Sequence, residues 1–132
     1  MSIQNTPQLR NVLLVDGLAS GLAGLVMAAG APFLSPLLAL PQSLLLWAGI
    51  LMLPWCLVLV TAARRPAVSR MLLVDIVGVN ALWVVASFGI LLTGAVQPNL
   101  LGIAFVTAQA LVVAVLAALQ FGALRRAGAQ TA

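Results

Sequence analysis

The tetrapeptide Leu-Leu-Val-Asp occurs twice, at residues 13–16 and 72–75, and its two aspartates are the only acidic residues of the chain. Each copy lies just inside a long apolar stretch, with an arginine five or six residues upstream of its aspartate. A basic residue at the edge of an apolar stretch is typical of a helix that enters a membrane. The tetrapeptide therefore predicts a membrane-spanning segment, and its recurrence predicts a repeated unit.

The composition excludes a soluble domain. Of the 132 residues, 64% are hydrophobic and 6% are charged, whereas soluble domains carry about 25% charged residues. With a mean hydropathy of +1.21, the chain lacks the polar side chains that a water-exposed surface requires. Lipid is thus the expected solvent, and the length suits one domain.

Four apolar segments are long enough to cross about 30 Å of hydrocarbon as helices. They cover residues 11–30, 42–62, 71–92 and 99–122. Pro41 and Pro98 suit helix starts, because the first turn does not need their missing N–H groups. The predicted fold is all-α, a four-transmembrane-helix bundle that forms a single membrane domain over residues 1–132.

Aligning Asp16 with Asp75 superimposes the first span on the third and the second on the fourth. We expect a duplicated two-helix unit, with repeats at about residues 11–66 and 70–127. Because each unit returns to its starting side, the copies would be parallel repeats related by a pseudo-twofold axis along the membrane normal. The alternative is chance, since leucine and valine are very common in this chain.

The charged residues predict the orientation. All six basic residues are arginines, and they flank the apolar stretches on one side only: Arg10, Arg64, Arg65, Arg70, Arg125 and Arg126. Basic loops face the cytoplasm, so both termini are expected inside. A cleaved signal peptide is the competing interpretation of the first segment, but the apolar stretch is longer than the usual h-region and contains Asp16.

The two acids would lie near the cytoplasmic interface. Neither is at helical pairing distance from the arginine on its own helix. We therefore expect structural ion pairs between helices, which join Asp16 and Asp75 to Arg64, Arg65, Arg125 and Arg126. A titrating site for protons or a cation is the alternative.

Three further side chains lie deep in the bilayer. Asn80 and Gln109 are predicted near the midplane, facing one interior, with Trp83 on the face of Asn80. Amides in hydrocarbon seek partners, so they either bridge helices or line a small-molecule pocket.

Small residues recur along the first span. Such a stripe lets two helix backbones approach closely, and we expect it to mediate helix packing: Gly17, Ser20, Gly21, Gly24 and Ala28.

Several function classes have no support in the sequence. Histidine is absent, no nucleophile has a base at a recognisable spacing, and no glycine-rich phosphate loop is present. We expect neither an enzyme nor a cofactor nor a metal site. The net charge of +4 comes from topogenic arginines, so no nucleic-acid surface is expected.

The second half resembles a group of uncharacterised small bacterial inner-membrane proteins with four predicted transmembrane helices. The resemblance rests on Asn-Ala-Leu-Trp-Val-Val-Ala-Ser at residues 80–87, Ala-Gln-Ala-Leu at 108–111 and Leu119-Gln120, with a Leu-Pro pair before the second span and a Pro-aromatic pair within it. It implies a fold and an inner-membrane location but no activity, and it singles out Asn80, Trp83 and Gln109.

The expected function is non-enzymatic. The small-residue stripe favours a protein that acts by helix–helix assembly in the lipid bilayer, as a homo-oligomer or an accessory subunit of another membrane complex. The alternative is a small transporter, channel or binder of an apolar ligand or ion. A cavity at the level of Asn80 and Gln109 that reaches either surface would favour the alternative, and amides bonded to each other in a packed interior would favour assembly.

Overall fold

The structure, a computed structural model, describes residues 2–131, with side chains described through residue 128. The elements are strand β1 (Ser2–Gln4), helix α1 (Pro7–Leu38), helix α2 (Gln42–Arg64), strand β2 (Ala67–Ser69), helix α3 (Arg70–Leu92) and helix α4 (Leu100–Thr131). All four helices are long and apolar enough to cross a membrane. The predicted four-helix membrane fold is therefore confirmed.

Helix α1 runs to Leu38, past its predicted end at Gly30, and includes Pro36 of the expected loop. It ends where Ser35 accepts the Leu40 N–H at 3.2 Å and donates its hydroxyl to the Leu40 oxygen at 2.6 Å. A proline removes one backbone hydrogen bond, and neighbouring helices and hydroxyl side chains can offset that loss in a membrane helix. The prolines were therefore poor markers of the helix end.

The helices form an open arc rather than a closed ring. Helix α1 packs along α2 and also contacts α4, and α4 packs along α3. The order across the bundle is thus α2, α1, α4, α3. Within the described residues, α2 and α3 are not in close backbone contact along their length, and the space between them is called here the α2–α3 gap.

The helix lengths do not repeat in register. They are 32 residues for α1, 23 for α2, 23 for α3 and 32 for α4. A faithful tandem copy would repeat one order of long and short helices. The chain instead has its two long helices at its ends and pairs them at the centre of the arc.

The interface between α1 and α2 is built on glycine. A methyl group on Gly24 would lie 2.8 Å from the Gly49 oxygen, and one on Gly49 would lie 2.7 Å from the Ala28 nitrogen. A methyl group on Gly17 would lie 2.8 Å from Val60. Any larger residue at these positions would force the backbones apart, so the small residues of α1 contact α2 of the same chain.

A small sheet closes the end of the bundle that carries the arginines, called here the arginine end. Strand β1 pairs antiparallel with β2, and Ile3 lies opposite Val68. Buried Asn5 donates from Nδ2 to the carbonyl oxygens of Ala62, Ala63 and Arg65 at 3.1, 3.0 and 2.8 Å. The last carbonyls of a helix have few partners within the helix, although the Ala62 oxygen also accepts the Arg65 N–H at 3.3 Å. The N-terminal segment is thus an ordered cap on α2.

Candidate functional site

A buried polar cluster joins three helices around Asp16, which is 2% exposed. Its Oδ2 atom accepts hydrogen bonds from Asn80 Nδ2 at 2.8 Å and from Gln120 Nε2 at 2.7 Å. Asn80 also donates to Gln120 Oε1 at 2.9 Å, and Ser20 donates its hydroxyl to Asp16 Oδ1 at 3.4 Å. The carboxylate is thus solvated by two amides and one hydroxyl.

Helix geometry explains how these four residues meet. Ser20 follows Asp16 by four residues on α1, so both lie on one face. Asp16 is nine residues from the start of α1, and Asn80 is ten residues from the start of α3. Because α1 and α3 run in the same direction, these positions share one level, and Gln120 reaches it from antiparallel α4.

The structure differs from the expected ion pairs. The partners of Asp16 are amides, and no salt bridge joins Asp16 or Asp75 to Arg64, Arg65, Arg125 or Arg126 in the part of the chain that the structure describes. These arginines are exposed at the arginine end, where the guanidinium groups stay hydrated. Moving one inward to Asp16 would cost more than amide solvation of the acid does.

The two copies of the tetrapeptide have opposite surroundings. Asp16 is buried, whereas Asp75 is exposed on α3. Asp16 shares its level with Asn80, which lies five residues beyond Asp75. The two acids therefore correspond in the repeat alignment, but Asp16 faces the interior of the bundle and Asp75 faces outward.

Asn80 and Gln109 belong to separate clusters and do not bond to each other. Gln109 Oε1 accepts the indole N–H of Trp83 at 2.7 Å, and Gln109 Nε2 donates to Ser87 Oγ at 3.1 Å and to the Val106 oxygen at 2.8 Å. The Ser87 hydroxyl donates to the Trp83 carbonyl at 2.7 Å, which closes a ring of bonds. This ring fixes the Trp83 side chain between α3 and α4.

Gln120 and Ser87 are two site residues with no role predicted from the sequence. Gln120 is 0% exposed and follows Gln109 by 11 residues, about three helical turns, so the two amides share one face of α4. Ser87 follows Asn80 by seven residues, about two turns. Helical spacing from the residues already singled out would have found both.

Two adjoining cavities occupy the α2–α3 gap. The inner cavity, about 240 Å³, is lined by the polar residues Ser20 and Asn80 and by Trp55 and Trp83 among apolar side chains. The outer cavity, about 630 Å³, extends away from the arginine end and includes Gln109 and Ser87 in its wall. Both cavities touch Trp83 and Leu51, so they adjoin at these two side chains.

The gap opens on the outer face of the bundle. Leu51, which lines both cavities, is 64% exposed, and Trp47 at the outer cavity is 62% exposed. In a bilayer these side chains would face lipid. A ligand could therefore reach the cavities sideways from the membrane without passing through a loop.

The predicted packing residues divide between two roles. Gly17, Gly21 and Gly24 face α2, where a methyl group on Gly21 would lie 2.7 Å from Cys56 Sγ. Ser20 instead turns to Asp16 and the inner cavity. Within the described residues, no group of three or more His, Cys, Asp or Glu side chains converges.

No family model, curated protein or solved structure matches this chain.

Proposed function

We propose that this protein is a non-enzymatic membrane protein that binds an apolar small molecule in the α2–α3 gap. The observation that carries the proposal is the pair of adjoining cavities, apolar except for Ser20 and Asn80 at one end and for Ser43, Ser87 and Gln109 in the other part. Small-molecule sites are typically concave, mostly apolar and oriented by a few polar groups.

The same structure weakens the case for assembly. That expectation rested on the small-residue stripe of α1, but Gly17, Gly21 and Gly24 are already in contact with α2. A stripe occupied within the chain is not available to a second copy. A ligand site is supported by the cavities at the level of the deep amides, which open toward lipid beside Leu51 and Trp47.

Binding from lipid requires more than apolar burial, because lipid tails are as apolar as the cavity wall. Shape and a polar contact must therefore provide the selectivity. A polar group of the ligand would find no partner among lipid tails, whereas Asn80 or Ser20 would offer one at the inner cavity. An amphipathic molecule gains more from this site than a pure hydrocarbon does.

Tryptophan quenching tests the proposal. In a Trp47→Phe variant purified in detergent, the remaining fluorescence comes from Trp55 and Trp83, which both line the inner cavity. Bromine quenches tryptophan on contact, so para-bromopropylbenzene should quench saturably. Ala86→Phe fills the outer cavity and should weaken this quenching, whereas Ala81→Phe, an exposed alanine on the same helix outside both cavity walls, should not. Linear, unsaturable quenching in all variants, by this probe and by an amphipathic analogue of the same shape, would refute the site.

The location and orientation complete the proposal: the bacterial inner membrane, with both termini in the cytoplasm. Six arginines at one end of the helices support it, because basic loops stay inside. A reporter fused after the last residue should be active in the cytoplasm only. Periplasmic activity would overturn this orientation.

We also propose that the chain arose by duplication of a two-helix unit. The pairing of α1 with α2 and of α3 with α4 supports this origin, while the helix lengths and the surroundings of the two aspartates have diverged. Expression of residues 1–66 and 67–132 as separate chains should yield a complex if each half is a folding unit.

Assembly is the second candidate, favoured by one surface. Helix α3 exposes Asp75 beside Gly78, where an added methyl group would meet nothing within 4 Å. An exposed acid next to a flat helix surface could receive a basic helix of another subunit. Native mass spectrometry of wild type and Gly78→Leu would test it, since a homo-oligomer through this face should dissociate in the variant.

A further inference from the structure

The two polar residues of the inner cavity have already used their hydrogen-bond donors, but their acceptor oxygens remain for a ligand. Asn80 donates both of its amide hydrogens inside the polar cluster, one to Asp16 and one to Gln120. Ser20 donates its hydroxyl hydrogen to Asp16. Both residues also line the cavity, and what they retain for a ligand is acceptor oxygen only. A ligand group that donates hydrogen bonds would match them.

Asp16, which lies behind these two residues, also favours a ligand that donates hydrogen bonds. Asp16 is 2% exposed and contacts both wall residues. Its hydrogen-bond partners among the described residues are the neutral side chains of Ser20, Asn80 and Gln120. A buried carboxylate without a counter-charge favours a nearby cation, and its field reaches further in a medium of low dielectric than in water.

The remaining walls suit a cation with an apolar body. Trp55 and Trp83 line the inner cavity, and tryptophan is the aromatic side chain that attracts ammonium groups most strongly. The outer cavity is larger and almost wholly apolar, and both amide hydrogens of its Gln109 are donated to Ser87 and to a backbone oxygen. A polar head therefore belongs at the inner cavity, and a hydrocarbon tail belongs along the outer one.

We propose that the ligand is a protonated amine on an apolar body. Its N–H groups donate to the oxygens of Asn80 and Ser20, its charge balances Asp16, and its apolar part extends past Trp83 into the outer cavity. Such amines partition into bilayers and would reach the α2–α3 gap from the lipid. This inference rests on the proposed binding function and names its ligand class.

The experiment compares two probes of equal shape, para-bromophenethylamine and para-bromopropylbenzene, which differ by an ammonium group in place of a methyl group. Both are titrated into the full-length Trp47→Phe protein in detergent at neutral pH, with tryptophan quenching as the readout. The amine should bind at least about tenfold more tightly, as expected for a charge-assisted contact beside aromatic rings.

Asp16→Asn is the decisive variant. The asparagine oxygen can accept the two amide N–H groups that Oδ2 accepts, and its new amide can donate to the Ser20 oxygen. The three contacts can therefore persist, with the direction of the Ser20 contact reversed, while the charge is lost. The preference for the amine, the ratio of the two dissociation constants, should fall severalfold, since the charge of Asp16 is lost while the oxygens of Asn80 and Ser20 and the two tryptophan rings remain. Asp75→Asn, the same change at the exposed acid, should keep the wild-type ratio.

Each outcome is informative. Equal binding of the two probes to wild type overturns the amine inference and leaves the proposed binding function standing, whereas no saturable binding of either probe overturns the binding function itself. A preference for the amine that is as large in Asp16→Asn as in the wild type overturns the role of Asp16. If Asp16→Asn does not fold, Ser20→Val removes one acceptor from the cavity wall, and the preference should fall by about fivefold, the size of one hydrogen bond. No change there would also count against the inference.

Discussion

Replacing Asn80 with leucine should destabilise the bundle more than any other single amide replacement within the membrane, apart from Gln120. Asn80 donates to Asp16 at 2.8 Å and to Gln120 at 2.9 Å, and it is 3% exposed. Leucine would leave a buried carboxylate with one fewer donor and the Gln120 oxygen without its partner. Because lipid cannot replace either bond, both losses fall on the folded state.

The magnitude follows from the two bonds. A hydrogen bond to a charged group contributes about 1.5–3 kcal/mol and a neutral one about 1 kcal/mol, so the expected cost is about 2–4 kcal/mol. Gln109→Leu is the matched comparison, since it removes only neutral bonds between α3 and α4. Interhelical bonds of that kind average about 0.6 kcal/mol in membranes, which predicts a cost of about 1 kcal/mol.

The assay is equilibrium unfolding in mixed micelles, with helicity followed against the fraction of denaturing detergent. Asn80→Leu is measured in the wild type and in the Asp16→Asn background. If Asp16 carries its charge in the bundle, the cost of Asn80→Leu should be smaller by about 1 kcal/mol or more in the neutral background. Equal costs in the two backgrounds, or a smaller cost than that of Gln109→Leu, would refute the reasoning.

Three further predictions use the same assay. Gly49→Ala should cost about 1–3 kcal/mol of stability through overpacking, because its methyl group would lie 2.7 Å from the α1 backbone. Gly78→Ala, in open space, should not destabilise the protein. Equal effects of the two substitutions would contradict the close contact of α1 and α2. Asn5→Ala removes three hydrogen bonds that cap α2 and should cost about 1–2 kcal/mol of stability, with faster amide exchange in β1 and β2. Asn11→Ala, at an exposed position, is its control. Unchanged exchange in Asn5→Ala would mean that the cap is unimportant. Asp75→Asn should change stability by less than about 0.5 kcal/mol because this acid is exposed. A large loss would reveal an ion pair beyond those among the described side chains.

The number of spans could be predicted from the sequence because it depends on length and apolarity alone. Residues 42–62 and 71–92 were assigned almost to the observed ends of α2 and α3. The ends of α1 and α4 were predicted too early, since Pro36 and Gly122 do not stop a helix that neighbouring helices support. The pairing of β1 with β2 could not be predicted, because three-residue strands depend on a contact between residues 65 positions apart.

The partners of Asp16 were harder to predict because opposite charge points to the arginines, whereas the observed partners are amides. An arginine must keep its charged group hydrated, so it stays near the interface and rarely follows an acid inward. An amide has no such requirement, and Asn80 and Gln120 reach the carboxylate at no cost in charge burial. The helical spacing of Asp16 from Ser20, and of Gln109 from Gln120, contains more information about the site than the charges do.

The two identical tetrapeptides show why a membrane sequence determines a span more readily than a site. A soluble helix distinguishes its buried face by apolar residues, but every face of these helices is apolar, so leucine and valine around Asp16 and Asp75 do not show which acid faces inward. Only other polar residues on the same face can do so. Asp16 has Ser20 four residues away, whereas the corresponding position after Asp75 is the apolar Val79. The acid with a polar neighbour on its own helix is the buried one, and it is also the one that the inner cavity adjoins.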